Sequence, residues 1–381
     1  MDNLTHSLVG LTAAKAGLDK LSPGATTLCV LAANAPDSDV FIGLFSDRWT
    51  LLHHHRGITH SIIGTLSLAV ALPLLFYVTD TLLARWRNRP PQVKFRGLLI
   101  ASAIVTATHP LLDWTNSYGI RPFLPWDSRW AYGDLLYIVD PFIWLLLGCA
   151  SFQLTSRTRF QRTIWAALAL FLTGLVAFGP ARRVELSHPN MLLGMWIACV
   201  VFSIYLFIRN AGERWQKKIA ITALVLLVAY CASLTVAHRL AVTVARDQAV
   251  AIANEHKEVI ARFAVMPTLA NPFRWDCTFT TESATYRFRL GLIDRSRTGV
   301  MRYPVPTGSL AKAIEQISQD RRARIFLNFA RFPVAQLRDE TCSSQTLVEF
   351  ADLRYTEPGR GRGNFTLDLP VDCHGLEVRA R

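Results

Sequence analysis

The chain has 381 residues, of which 51% are hydrophobic and only 18% charged, and its net charge is +13. That is too apolar for an ordinary soluble protein of this length. The apolar residues are bunched into blocks of roughly 17–25, long enough to cross a bilayer core. Much of the basic excess lies in short loops between those blocks, so positive-inside topology explains it better than a nucleic-acid-binding patch does; no nucleic-acid partner is expected.

Taken in order, residues 5–16 and 26–35 are two short apolar arms, joined by a stretch in which Pro23-Gly24 punctuates a helical hairpin. The N-terminus has no basic region followed by a small-residue cleavage site, so no cleavable signal peptide is expected. Residues 61–84 form a full span, and a basic loop at 85–96 follows. The chain returns over 97–112, passes a Trp-, Pro- and Gly-rich loop at 114–134, and crosses again over 135–154. Segments 164–180, 191–208 and 219–237 complete the expected membrane part. The basic loops at 85–96, 157–162 and 209–218 are assigned to the cytoplasm. The alternate connections, around 44–60, 114–134 and 181–189, are then extracytoplasmic, although Arg182-Arg183 runs against this. With all these segments crossing, both termini lie outside. Trp114, Trp126 and Trp130 are expected in an interfacial belt.

After His238 the character changes. Residues 241–263 read as a charged amphipathic helix. Residues 274–281 and 284–293 alternate as half-buried strands do, 310–317 reads as a helix, and 324–331, 346–355 and 364–371 read as further short segments, mainly strands. Cys29, Cys149, Cys199 and Cys231 lie in apolar blocks and read as packing residues. Cys277, Cys342 and Cys373 lie in the tail, which if extracytoplasmic has room for one disulfide with one thiol left over.

The chemistry-bearing residues sit at the edges of the apolar blocks. In His53-His54-His55-Arg56-Gly57-Ile58-Thr59-His60 the imidazoles crowd the mouth of a span, and histidine is the commonest side-chain metal ligand. His109 and Asp113 are four apart and share a helix face. Asp37 and Asp39 follow Pro36 so closely that they repel unless a cation joins them. His6 lies one turn into the first arm. The charge argument, which used none of these residues, brings them to one membrane face. Neutral nitrogens with anionic oxygens suit zinc, manganese or iron better than calcium. The set exceeds the three protein ligands of a single catalytic zinc, which allows two ions. Arg56 is expected to hold an anionic substrate group. Asp140, inside an apolar stretch, is expected to be catalytic; Asp134, at the mouth, is a weaker candidate that could simply cap a helix. There is no HExxH, P-loop, GxSxG or dinucleotide fingerprint.

These residues resemble the membrane-bound metal-dependent hydrolase family, which includes the LexA-regulated inner-membrane proteins of bacteria. Residues 1–6 resemble its N-terminus, Pro36-Asp37-Ser38-Asp39 its PDxD, and His55-Arg56-Gly57-Ile58-Thr59-His60-Ser61 its HRGxTHS. His109 to Asp113, Asn116-Ser117-Tyr118-Gly119, Asp134 and Asp140-Pro141 resemble its next block. The likeness covers about residues 1–145, and it implies hydrolysis at a bacterial inner membrane.

The expectation is a mostly α fold. A polytopic transmembrane helical bundle over 1–237 carries the metal site, and a small extracytoplasmic α+β domain occupies 238–381. The expected ligands are His6, Asp37, Asp39, His55, His60, His109 and Asp113, with Arg56 and Asp140 as catalytic residues. The expected cofactor is a divalent metal, zinc first and manganese or iron next. The expected partners are the lipid bilayer and a lipid-derived or phosphorylated substrate. An ion-coupled transporter and a scaffold with a structural metal are the rival readings.

Overall fold

A computed structural model describes residues 1–179, 188–339, 344–359 and 365–373. Arg182, Arg183 and Cys342 lie outside the described residues. The chain divides into two compact units: Met1–Asp39, Arg56–Val236 and Pro267–Pro272 form the first, and Val40–His55, Ala237–Met266 and Phe273–Arg381 the second.

The first unit is helical. It begins with α1 (Asn3–Lys15) and α2 (Ala25–Asn34). The short helix α3 (Arg48–His54) belongs to the second unit. Among the described residues, five helices are long and apolar enough to cross a membrane: α4 (Ile62–Trp86), α5 (Phe95–Trp114), α7 (Arg159–Phe178), α8 (Pro189–Ile208) and α10 (Gln216–Glu255). Helix α6 (Pro141–Thr155) is a shorter apolar helix, and α9 (Ala211–Arg214) a single turn. Leu66, Leu75 and Leu82 of α4 are exposed, as on a helix apolar all round whose outer face meets lipid.

The two N-terminal arms, each marginal for spanning by sequence, form short helices. At a rise of about 1.5 Å per residue, α1 and α2 reach only about 20 and 15 Å, short of a hydrocarbon core of about 30 Å. They pack instead as an inner hairpin. Leu28, Cys29 and Ala32 of α2 are buried against Leu98, Ala101 and Val105 of α5. Small side chains let the backbones approach closely. At Gly10 a Cβ would lie 2.6 Å from the Cys29 carbonyl oxygen, so only glycine fits. The expected crossing at 135–154 also starts later. Residues before Pro141 are not helical, and Asp140 is the N-cap of α6, accepting from the N–H groups of Phe142 (2.8 Å) and Ile143 (3.2 Å). Pro141 favours that start because its missing N–H would have had no helical partner.

The second unit holds a four-stranded sheet in the order β1 (Arg262–Thr268), β2 (Asn271–Thr280), β3 (Ala284–Gly291), β4 (Arg297–Pro304). A three-stranded sheet runs in the order β5 (Pro333–Leu337), β6 (Gln345–Asp352), β7 (Thr366–Asp372). The described pairings β2–β3, β3–β4, β5–β6 and β6–β7 are antiparallel. Helices α11 (Gly308–Gln316) and α12 (Arg321–Phe329) complete it. Ala241, Ala245 and Ala249 lie on one face of α10 and pack on Trp275, Phe279 and Tyr286. Segment 324–331, expected as a strand, falls mostly within α12. Asp320 caps its start through the Arg322 N–H (2.7 Å), and Ala323, Phe326 and Phe329 recur at three-residue spacing on its buried face. Residues 40–55, which overlap the connection expected around 44–60, join this unit because Trp49 packs edge-on against Phe326 (6.5 Å) in a core shared with Phe350 and Leu367. Cys373 is disulfide-bonded and Cys277 is the buried free thiol.

Candidate metal centre

The centre is assembled at one end of the first unit. Ser61 caps α4 by accepting from the Gly64 N–H (3.1 Å). At Gly64 a Cβ would sit 1.8 Å from the Ile58 carbonyl oxygen, so glycine lets the turn Ile58–His60 fold directly onto the helix. That turn delivers His60. Helix α5 delivers His109 and Asp113 on one face, and the segment after α2 delivers Asp37 and Asp39. All five are buried, with exposures from 0 to 7%.

Four atoms converge: His60 Nε2, His109 Nε2, one oxygen of Asp37 and one of Asp113. His60 Nε2 lies 3.1 Å from His109 Nε2, 3.3 Å from Asp37 Oδ1 and 3.3 Å from Asp113 Oδ2. His109 Nε2 lies 3.4 Å from Asp37 Oδ1 and 3.5 Å from Asp113 Oδ2. Ligand bonds of about 2.0–2.1 Å in a tetrahedron imply edges of about 3.3 Å, so these spacings fit a tetrahedral ion.

Proton positions point the same way. His109 Nδ1 lies 2.6 Å from the Ala33 carbonyl oxygen, an acceptor, so the ring proton sits on Nδ1 and Nε2 presents a lone pair. His60 Nδ1 faces Asp39 Oδ2 at 3.3 Å and Thr59 Oγ1 at 3.1 Å, while the Thr59 hydroxyl donates to Asp39 (3.1 Å). Its proton therefore also sits on Nδ1. With both ring protons on Nδ1, the two Nε2 lone pairs face two carboxylate oxygens, an arrangement that a cation satisfies. Carboxylate and carbonyl partners behind ligating imidazoles are the usual orienting groups of metal sites.

The other expected residues take distinct places. His6 stacks on His109 with ring centres 3.7 Å apart, and its Nε2 lies 3.3 Å from Asp113 Oδ1, the oxygen turned away from the four-atom cluster. The Met1 amine also contacts that oxygen. Neither His6 nitrogen makes a hydrogen bond, although the ring is fully buried. Asp39 stands behind His60 and also accepts from the Arg56 N–H (2.9 Å). Arg56 is not held ready as a free fork. Its Nε is 3.1 Å from Asp113 Oδ2 in a charge contact, and its Nη1 donates to Asn116 Oδ1 (2.9 Å) and to the Gly119 carbonyl (3.3 Å). His55 ends α3 in the second unit, where His53 and His54 are exposed. Asp140 also accepts from the Tyr230 hydroxyl (3.0 Å), so it ties α6 to α10. Asp134 lies before α6 with a positive φ of 53° and does not cap it.

Arg121 carried no sequence signal and was missed. It is buried, its guanidinium stacks on Trp130 at 4.8 Å, and Trp130 in turn packs on Tyr118, over which Arg56 lies at 4.5 Å. Trp130 thus lies beside the centre, while Trp126 and Trp114 are exposed. The only available cue was the density of aromatic partners in 118–132.

Residues 1–184 match the family model of the YdjM inner membrane protein. The matched segment holds every residue of the centre. Over 399 aligned positions the chain is 28% identical to the protein named "Uncharacterized protein YfhP" of Bacillus subtilis (strain 168), covering 100% of this chain and 94% of that one. No solved structure matches. The membrane character read from the five apolar helices thus coincides with likeness to an inner-membrane family, and the buried Asp/His cluster at its heart could hold a metal ion.

Proposed function

We propose that the chain is a membrane-bound metal-dependent hydrolase, with zinc as the first expectation and manganese or iron next. The observation that carries this reading is the convergence of the two Nε2 atoms on two carboxylate oxygens. Asp37, His60, His109 and Asp113 would hold one ion. The outward oxygen of Asp113 and the His6 ring, whose nitrogens make no hydrogen bond, would begin a second position with few protein ligands. Such a centre, when loaded, supplies an activated water and charge stabilisation for a phosphoryl or carbonyl oxygen. Asp39 and the Ala33 carbonyl fix the tautomers of His60 and His109. Arg56 offsets the charge of Asp113, and together with Arg121 it makes the surroundings favourable to an anionic, phosphorylated or lipid-derived substrate.

The centre and the C-terminal domain are assigned to the extracytoplasmic side. The loops at 85–96, 157–162 and 209–218 carry the basic excess and are placed in the cytoplasm, which puts the segments before α4 and after α10 on the other side. The Cys373 disulfide supports an oxidising compartment for the tail. A structural ion is the second reading, favoured because four protein ligands close a tetrahedron, as structural zinc sites do. The transporter reading loses support because Asp140, its best relay acid, is engaged as a helix cap.

The test is metal content of the purified full chain, with phosphodiester and ester substrates assayed alongside. His60→Ala and Asp113→Ala should each fall to roughly a tenth of the wild-type metal ratio or less, since even partners behind the ligands matter about 10–100-fold. His53→Ala should keep its metal. Wild-type metal in both ligand variants would remove the site. Metal binding without turnover, lost together with stability in the variants, would favour the structural ion.

A further inference from the structure

A groove of about 830 Å³ runs between α6, α8 and α10, lined almost wholly by apolar side chains. It has no part in the metal centre. On α6 it extends from Phe142 to Gln153, which at about 1.5 Å per residue is about 16 Å, close to half of a hydrocarbon core of about 30 Å. Its length is therefore about that of one acyl chain.

The polar groups gather at one end. Gln153 is 4% exposed, and its Nε2 donates to the Ser203 carbonyl (2.6 Å) and lies 3.2 Å from the Ser203 hydroxyl oxygen. Its Oε1 is buried and accepts no hydrogen bond, so a residue lining the groove carries an unsatisfied acceptor. Lys218 lines the same groove, and no ion pair is recorded for it among the described residues. Trp215 borders that end as well, with Arg214 stacked on it at 5.4 Å. This is the end where α6 and α8 finish and α10 begins, beside the basic loops at 157–162 and 209–218. The positive-inside rule makes it the cytoplasmic end.

We propose that this groove is a binding site for an anionic glycerophospholipid of the cytoplasmic leaflet whose headgroup carries hydroxyls, of the phosphatidylglycerol type. One acyl chain lies along α6 toward Phe142. A headgroup hydroxyl donates to Gln153 Oε1, and the phosphate faces the Lys218 ammonium. A zwitterionic choline headgroup has no hydroxyl to donate and carries a cation that opposes Lys218. The match of length to one acyl chain, the orphaned acceptor and the Lys218 ammonium at the headgroup end select this occupant over a peptide or a soluble ligand.

The test uses the full chain in detergent, titrated with phosphatidylglycerol or phosphatidylcholine bearing brominated acyl chains. The readout is quenching of the Trp215 component, taken as the difference from Trp215→Phe. Phosphatidylglycerol should quench at about fivefold lower mole fraction, the increment one basic side chain contributes near an anionic lipid. Lys218→Gln should abolish that preference while leaving quenching by phosphatidylcholine unchanged. Gln153→Leu should weaken phosphatidylglycerol alone. Ala150→Trp, which fills the groove, should remove quenching by both, with a melting temperature within a few degrees of wild type showing that it is folded; an unfolded Ala150→Trp leaves the decision to Lys218→Gln. Equal quenching by the two lipids in the wild type, or a preference that survives Lys218→Gln, overturns the proposal.

Discussion

Asp39→Asn separates a residue that orients a ligand from one that binds the ion. Asp39 Oδ2 gathers the Arg56 N–H at 2.9 Å, the Thr59 hydroxyl at 3.1 Å and His60 Nδ1 at 3.3 Å. An asparagine offers one carbonyl oxygen in place of two carboxylate oxygens, and its amide presents donors where donors already point. The His60 proton then moves to Nε2 in part of the population, and a protonated Nε2 cannot ligate. Loss of such an orienting partner typically weakens metal affinity about 10–100-fold, or about 1.4–2.7 kcal/mol. The assay is zinc competition against a chelator of known affinity, on the full chain in detergent, with the stoichiometry measured in parallel. The expected result is unchanged stoichiometry at saturating zinc with a weaker dissociation constant. A constant within twofold of wild type would refute the tautomer argument. Loss as complete as in His60→Ala would instead make Asp39 a ligand.

Two further outcomes follow from the fold. Asp140→Asn should retain its metal and lower the melting temperature, because the N-cap bonds to Phe142 and Ile143 and the bond from Tyr230 are weakened; cap losses cost about 0.5–2 kcal/mol. Metal loss with an unchanged melting temperature would return Asp140 to the centre. Single cysteines placed in the 85–96 loop should resist an impermeant thiol reagent applied to spheroplasts, whereas those in the tail should react, and the reverse pattern would overturn the assigned orientation.

The membrane blocks and the polar residues at their edges were legible because each has a local cause. Span length is set by bilayer thickness, and the His109/Asp113 spacing by helical periodicity. What could not be read was set by partners distant in sequence. The arms α1 and α2 look like spans by composition, and only their burial against α5 shows them as an inner hairpin. Asp140 looked costly inside an apolar run until the helix was seen to begin after it. Trp49 belongs to a core completed by Phe326 and Phe350, far along the chain, so residues 40–55 carried no local sign of their unit. Arg121 was invisible for the same reason, since the ring beneath it comes from Trp130.

Charge at the centre makes the ion a stability question as well as a chemical one. Asp37, Asp39 and Asp113 are buried with the Arg56 guanidinium and the Met1 amine as neighbouring cations, so three carboxylates face two cationic groups there. Unbalanced buried charge is strongly destabilising, and a divalent ion removes the excess. An ion that binds only the folded state stabilises it by about 4 kcal/mol at a free concentration of about 1,000 times its dissociation constant. Chelation of the wild type should therefore lower the melting temperature, and zinc should restore it while calcium, which prefers more oxygen ligands, should not. In Asp113→Ala the chelator should have little effect, because that variant holds little metal to lose and also has one fewer buried negative charge to balance. A wild-type melting temperature indifferent to chelation, in protein first shown to carry metal, would mean that the carboxylates are neutralised by protons or by Arg121, and the tetrahedral spacing would then lose its explanation.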